Sequence, residues 1–352
     1  PILAYTSINK STEHFRTKLY TGNGSNDRAI TFDESTNMQP DWLWIKSRGT
    51  GQSHAIFDAV RGANKRLVTN SSGAETTENA NLDSFDTNGF TIDNEAIVNE
   101  NGIGYASWNW KANGAGSANT DGTTTSTVSV NTTAGFSIGT YTGTSAVATI
   151  GHGLGTVPAM IMVKNLSSGS RQWAVYHKNL SGTNKYLRLN TTDAEQTDSS
   201  TWNNTTPTNA VFASSGSGEV NQSGENFVFY AFAEKIGYSK FGSYTGNGNA
   251  DGPFIYTGFK PAFVFQKRTD STSNWHIFDN KREPENVMDK YLAPNDSGAE
   301  GTATGFDFLS NGFKSRTSSN WNNQSGGTYI YMAFAEEPLV ANVGASIPAT
   351  AR

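Results

Sequence analysis

Apolar residues along the chain fall in runs of five to seven, rich in aromatic and β-branched side chains and bounded by Gly, Pro, Asn or Ser clusters. No stretch sustains the i, i+3, i+4 spacing of an amphipathic helix, so the pattern predicts strands from end to end. The densest run, "FVFYAFAEK" at 227–235, is nearly repeated by "YIYMAFAEE" at 329–337. A strand apolar at almost every position needs cover on both faces, which puts it at the centre of a sandwich or at an interface between repeats.

Laying the chain against itself extends the repetition to five landmarks in one order. "YTG" occurs at Tyr20, Tyr141 and Tyr244; a proline-led strand ending in lysine at "PDWLWIK", "PAMIMVK" and "PAFVFQK"; then "HAIFD", "WAVYH" and "WHIFD". "NSSGAE", "NTTDAE" and "NDSGAE" follow, and the closing strand is "YASWNWK" in the first copy. Tyr141 and Tyr244 are 103 residues apart, as are Pro158 and Pro261. Between the first two copies the offset rises to 118–121, the excess lying in "KANGAGSANTDGTTTSTVSVNTTAG". That segment is small and polar and reads as a linker.

The expected fold is all-β: three tandem antiparallel β-sandwich, jelly-roll-like domains of about a hundred residues each. The boundaries read as a lead-in over 1–15, repeat 1 over 16–112, a linker over 113–134, repeat 2 over 135–237, repeat 3 over 238–337 and a tail over 338–352. "FDTNGF" and "FLSNGF" place Asn-Gly between aromatic residues and predict hairpins with Asn-Gly at the two central turn positions. Repeat 2 lacks that pair, so its turn should differ.

Charged residues make up only 16% of the chain and the net charge is −5, which gives no electrostatic reason to expect nucleic acid. No segment reaches the length of an apolar membrane span. Cysteine is absent, which excludes disulfides and thiolate chemistry. The opening "PILAYTSINKSTEHF" has no signal-peptide pattern, and the expectation is synthesis in a reducing cytoplasm.

Catalytic signatures are missing: there is no nucleophile elbow, zinc helix or phosphate loop. His14, His54, His152, His177 and His276 are scattered and read as strand-edge histidines, and no metal or cofactor is expected. Glu75, Glu195 and Glu300 share one repeat column. One acid per domain does not make the pair that glycoside hydrolysis needs, so the column reads as a turn in which Asn and Glu side chains bond local backbone amides. The alternative for it is a calcium or ligand loop. Lys46, Lys164 and Lys267 end the proline-led strand and read as charges that stop an edge from pairing, with an anionic partner as the alternative.

Six tryptophans, Trp42, Trp44, Trp108, Trp110, Trp173 and Trp275, sit in strand landmarks and are expected in the core. Trp202 with Asn203 and Asn204, and Trp321 with Asn322 and Asn323, lie in polar loops at non-equivalent positions. An exposed indole flanked by amides suits stacking on a sugar ring, so these six residues are the candidate glycan contacts. The bland alternative is a loop tryptophan folded back onto its own domain.

Taken together, "YTGNG", the proline-to-lysine strand, "W-x-[IV]-[FY]-[DH]", "N-x-[ST]-x-A-E" and "Y-x-A-F-A-E" resemble an uncharacterised repeated domain of virion proteins from marine tailed phages, over about residues 16–340. The resemblance implies a virion location and a tail-fibre, host-adhesion or capsid-decoration role, with no active site to transfer. It implies other virion proteins as partners; a host surface glycan stays the candidate ligand of the two tryptophan loops, and charge and hydropathy predict neither nucleic-acid binding nor membrane insertion. An outward-facing apolar strand would also require a homo-oligomer, a trimer among the options. A secreted carbohydrate-binding protein is the rival reading. Repeat 1 departs from the pattern, with "WNWK" where the others have "AFAE".

Overall fold

A computed structural model describes residues 6–338; the first five residues and the tail beyond 338 lie outside the described part. Each repeat builds an inner and an outer antiparallel sheet, as the strand pattern predicts. In repeat 1 the inner sheet runs Phe15–Thr21, Gly104–Trp110, Trp42–Ser47, Ala55–Asp58, Gly62–Val68, Thr76–Thr77. Repeat 2 follows the same path with Phe136–Thr142, Asn226–Phe232, Met160–Asn165, Ala174–His177, Lys185–Arg188 and Gln196–Thr197, and repeat 3 with Ser239–Thr245, Thr328–Pro338, Phe259–Arg268 and Trp275–Asp279. The closing strand of each repeat is therefore an interior strand, paired on one side with the "YTG" strand and on the other with the proline-led strand.

That position explains the doubly apolar run. Along Asn226–Phe232 side chains alternate between faces. Phe227, Phe229 and Ala231 point into the core of their own sandwich, while Val228, Tyr230 and Phe232 enter a second core shared by all three repeats. Repeats 1 and 3 have their own inner-to-outer cores as well. In the shared core the equivalent residues Trp110, Phe232 and Phe334 touch one another pairwise, with ring centroids 5.6 to 6.2 Å apart. The three inner sheets thus face a common pseudo-threefold axis lined by aromatic rings. All six strand tryptophans are buried, none more than 1% exposed.

Two expectations are corrected here. The 113–134 linker is structured: Ser126–Asn131 pairs along its length with Phe136–Thr142 and carries Ser117–Asn119 outside it. The alternation in "STVSV" is the signal, with Val128 in the sandwich core and Ser129 accepting a hydrogen bond from the Asn113 amide. The hairpins form at both Asn-Gly sites, but the register pairs Asp86 with Gly89 and Leu309 with Gly312. Thr87-Asn88 and Ser310-Asn311 are the central residues, and glycine follows the turn. It is glycine because a Cβ at 89 or 312 would sit 2.0 or 2.1 Å from the carbonyl oxygen of Ile30 or Ile255.

In repeat 2 the outer sheet has only two strands, Ala148–Gly151 and Val211–Ser214. Where its neighbours place a hairpin partner, the chain makes a loop that carries Trp202, and the indole fills the space against Tyr176 and Phe212.

Candidate functional site

The columns that recur between repeats converge on the seams where one repeat meets the next. Asn70, Asn190 and Asn295 each accept, through Oδ1, the backbone amide of the residue that leads into or opens the fourth inner strand: His54, Trp173 and Trp275. The amides of Glu75, Glu195 and Glu300 donate across the seam to the carbonyls of Leu166, Thr269 and Arg48, at 3.0, 2.8 and 2.9 Å. These three bonds run from repeat 1 to 2, from 2 to 3 and from 3 back to 1, so the ring closes within one chain. Two indoles run the other way, Trp173 to the Val68 carbonyl and Trp275 to that of Arg188.

The Glu side chains differ from the expected local turn. Glu75 is paired with Arg61 and Glu300 with Arg282 and, across the seam, Arg48; only Glu195 binds a local amide, that of Ser181. The guanidiniums occupy the carboxylates, and among the described residues no group of three or more His, Asp or Glu side chains is arranged for a metal.

A further seam column escaped sequence reasoning. Asp58 of repeat 1 accepts the Tyr230 hydroxyl of repeat 2 at 2.7 Å, and Asp279 of repeat 3 accepts the Trp108 indole of repeat 1 at 3.0 Å. Each aspartate also holds the arginine three residues on, Arg61 or Arg282, with every partner nearly or fully buried. At the third seam the equivalent of Tyr230 and Trp108 is Met332, which has no donor. There the column carries His177, whose Nε2 contacts the Tyr331 carbonyl at 3.2 Å, and Leu180 stands in the arginine position. Burial pushes His177 down to about 3, so it is neutral and donates. A buried aspartate at that seam would keep the Asn179 amide but find no side-chain donor on Met332 or Leu180.

His177 and the other two histidines of that landmark are accordingly not at strand edges. His54 is fully buried and accepts the Trp44 indole at 2.9 Å, and His276 is 4% exposed.

Lys46, Lys164 and Lys267 are also corrected. They lie on interior strands and are fully buried, so they guard no edge. Each ammonium caps backbone carbonyls: Lys46 those of Ser47 and Thr50, Lys164 those of Asn165 and Ser72, Lys267 those of Arg268 and Thr192. Ser72 and Thr192 belong to the preceding repeat, so two of the three lysines tie a seam. Burial lowers Lys46 and Lys164 to about 8 and Lys267 to about 7.

The "YTG" landmark has its own task inside each sandwich. The hydroxyls of Tyr20, Tyr141 and Tyr244 donate to the carbonyls of Val98, Val220 and Asn322. The next residues, Asn99, Asn221 and Asn323, accept the amides of Asn23, Thr144 and Asn247. The glycine lets these segments touch: a Cβ at Gly22, Gly143 or Gly246 would stand 2.0 to 2.2 Å from a carbonyl oxygen of the facing loop.

These contacts overturn most of the candidate glycan set. Trp202 is 1% exposed and packed inward, so it is the folded-back tryptophan of the alternative reading. Asn203 and Asn204 hold left-handed turn positions, with φ of +49° each, and Asn204 accepts the Thr183 hydroxyl. Asn322 and Asn323 are fully buried; Asn322 donates to the Gly305 carbonyl and Asn323 accepts the Asn247 amide. Asn204 is exposed and Asn203 half-buried, but Trp321 is the one indole of the set that remains at a surface. It is half-buried against His276, with centroids 4.5 Å apart, and lies nearly parallel to Phe278. It borders a cleft of about 400 Å³ where repeat 3 meets Thr192 of repeat 2, walled also by Tyr291, Asn274, Ser273 and Asn320.

Fold and seams together define a single-chain, pseudo-threefold assembly of β-sandwiches. The model of the family described as Domain of unknown function (DUF7483) matches residues 10–338, and the chain belongs to that family. No curated protein matches it.

Proposed function

We propose that this chain is a non-enzymatic structural component of a tailed-phage particle, displayed on its surface as part of a tail fibre or host-attachment device. The observation that carries the reading is the closed ring of seams. The repeated polar columns hold one repeat to the next, and the repeated aromatic column fills the common axis, so what the three copies share builds a rigid body rather than a reaction site. The motif resemblance to marine phage virion proteins supports the same reading. A body closed by seams and an aromatic core, in a chain with no cysteine, suits a particle part assembled in a reducing cytoplasm and later exposed outside.

The apolar strands do not call for a second copy of the chain, because the other two repeats cover them. Neighbours in the particle would be other virion proteins, meeting the outer sheets. Mass spectrometry of purified particles, followed by a map of the particle, tests the proposal. Detection at stoichiometric abundance at the tail tip or fibre supports it, and absence from purified particles overturns it.

A further inference from the structure

We propose that the Trp321 cleft is a binding site for a neutral sugar residue. The inference rests on the attachment reading above only for its biological purpose; the site itself stands on three observations.

The first is a local departure from the repeat. Positions shared by the three copies are needed by the fold, so a position where one copy differs without a structural cause is informative. His276 occupies the column of Ala55 and Ala174, and Trp321 that of Ile97 and Glu219. Both substitutions enlarge the side chain, both fall in repeat 3, and the two rings are in contact with each other and with Tyr291. Repeats 1 and 2 close their sandwiches without this cluster; in repeat 3, Tyr291 and Trp321 pack on the outside of the core and also line the cleft.

The second is the chemistry of the walls. Thr192, Thr272, Ser273, Asn274, Asn320 and the Tyr291 ring present hydroxyls, amides and an aromatic face, and no charged side chain lines the cleft. Thr192, Thr272 and Asn320 are exposed. Two other clefts differ: one holds Lys10, Arg16, Glu34, Lys281, Glu336 and Glu337, the other Arg61 with Glu75. Apolar C–H faces stacking on an aromatic platform, with equatorial hydroxyls meeting neutral donors and acceptors at the rim, is how a neutral pyranose is recognised. An anionic sugar would find no counter-charge on these walls.

The third is the footing of the indole. His276 lines the cleft, is 4% exposed, and its ring lies 4.5 Å from that of Trp321, so the indole is backed by a buried ring where it borders the cleft.

The test uses the full chain, purified, on an array of neutral oligosaccharides of glucose, galactose, mannose and N-acetylhexosamines beside sialylated and sulfated counterparts. Hits are then titrated while tryptophan fluorescence is followed. Binding of neutral members is expected, with the anionic ones at least tenfold weaker. Trp321→Ile and His276→Ala install residues that other repeats carry at those columns, so both variants should fold with unchanged circular dichroism; affinity should fall at least tenfold in the first and several-fold in the second. No neutral glycan bound at millimolar concentration, preference for anionic glycans, or affinity unchanged in both folded variants would each overturn the site. Particle membership is read from particles and sugar binding from isolated protein, so either can fail without the other.

Discussion

The Tyr230 hydroxyl of the second repeat reaches the Asp58 carboxylate of the first at 2.7 Å, and both side chains are sealed from solvent. Asp58 also takes the Arg61 guanidinium and the amide of Val60. One buried carboxylate thereby fixes a turn in its own repeat and the face of its neighbour. Tyr230→Phe removes that donor, together with the acceptor the same hydroxyl offers Arg61, and leaves the rest. The expected loss is about 1.5–3 kcal/mol, the range for a hydrogen bond to a charged group, read from urea or guanidinium unfolding.

His177→Asp tests the same column from the other side. It would bury a carboxylate against the Met332 and Leu180 side chains, which cannot donate, at a cost of roughly 3–5 kcal/mol. Adding Met332→Tyr and Leu180→Arg rebuilds the arrangement of the first seam, and a favourable coupling of at least ~1 kcal/mol is expected in the combined variant. Strict additivity would show that the column does not work as a unit.

Stability should rise with pH between about 7 and 9.5. Lys46, Lys164 and Lys267 have folded-state values of about 8, 8 and 7, below the ordinary 10.5, because burial penalises the ammonium. A group depressed on folding contributes stability that is fully present above its unfolded value and is lost as pH falls through the folded one. Each lysine titrating between those limits adds up to about 1.4 kcal/mol per pH unit. Burial raises the tyrosines, including Tyr20, Tyr141 and Tyr244, so unfolded phenols ionise first and the trend reverses above about pH 10. Thermal melts across this range should show the rise, and Lys267→Met should flatten it; a wild-type melting point that falls steadily from pH 7 to 9.5 would contradict the account.

Gly246→Ala should destabilise strongly, by about 3 kcal/mol or more, since its Cβ would stand 2.2 Å from the Gln324 carbonyl oxygen. Gly104→Ala, where nothing lies within 4 Å, should change stability by less than about 1 kcal/mol. Denaturant midpoints of the two variants measure the contrast.

Much of this was legible in the sequence because a threefold repetition exposes which positions a fold requires. The apolar run at 227–233 announced two covered faces, and both are covered, one by its own sandwich and one by its neighbours. Lys164 and Trp202 misled for one reason. Charge beside a strand end and an indole among asparagines both suggest a surface, yet a lysine can cap carbonyls at a seam and a loop can fold its tryptophan into the space of a missing strand. Ring closure was hidden because tandem domains and a closed ring share the same strand pattern. The exchange of Asp58 and Asp279 for His177 was visible in "HAIFD", "WHIFD" and "WAVYH", but its meaning depends on Tyr230, Trp108 and Met332 across the seams, and no local window contains both.

The central claim is that the three repeats are one cooperative body around a common aromatic axis, and native-state hydrogen exchange on a core variant tests it most directly. Trp42→Ala removes a repeat 1 side chain that contacts Phe136, Tyr230 and Phe232 of repeat 2. The expected result is a drop of about 3–5 kcal/mol in protection, appearing together in the Gly104–Trp110, Asn226–Phe232 and Thr328–Pro338 strands. Protection lost in the first of these strands and retained in the other two would show three independent domains and contradict the account.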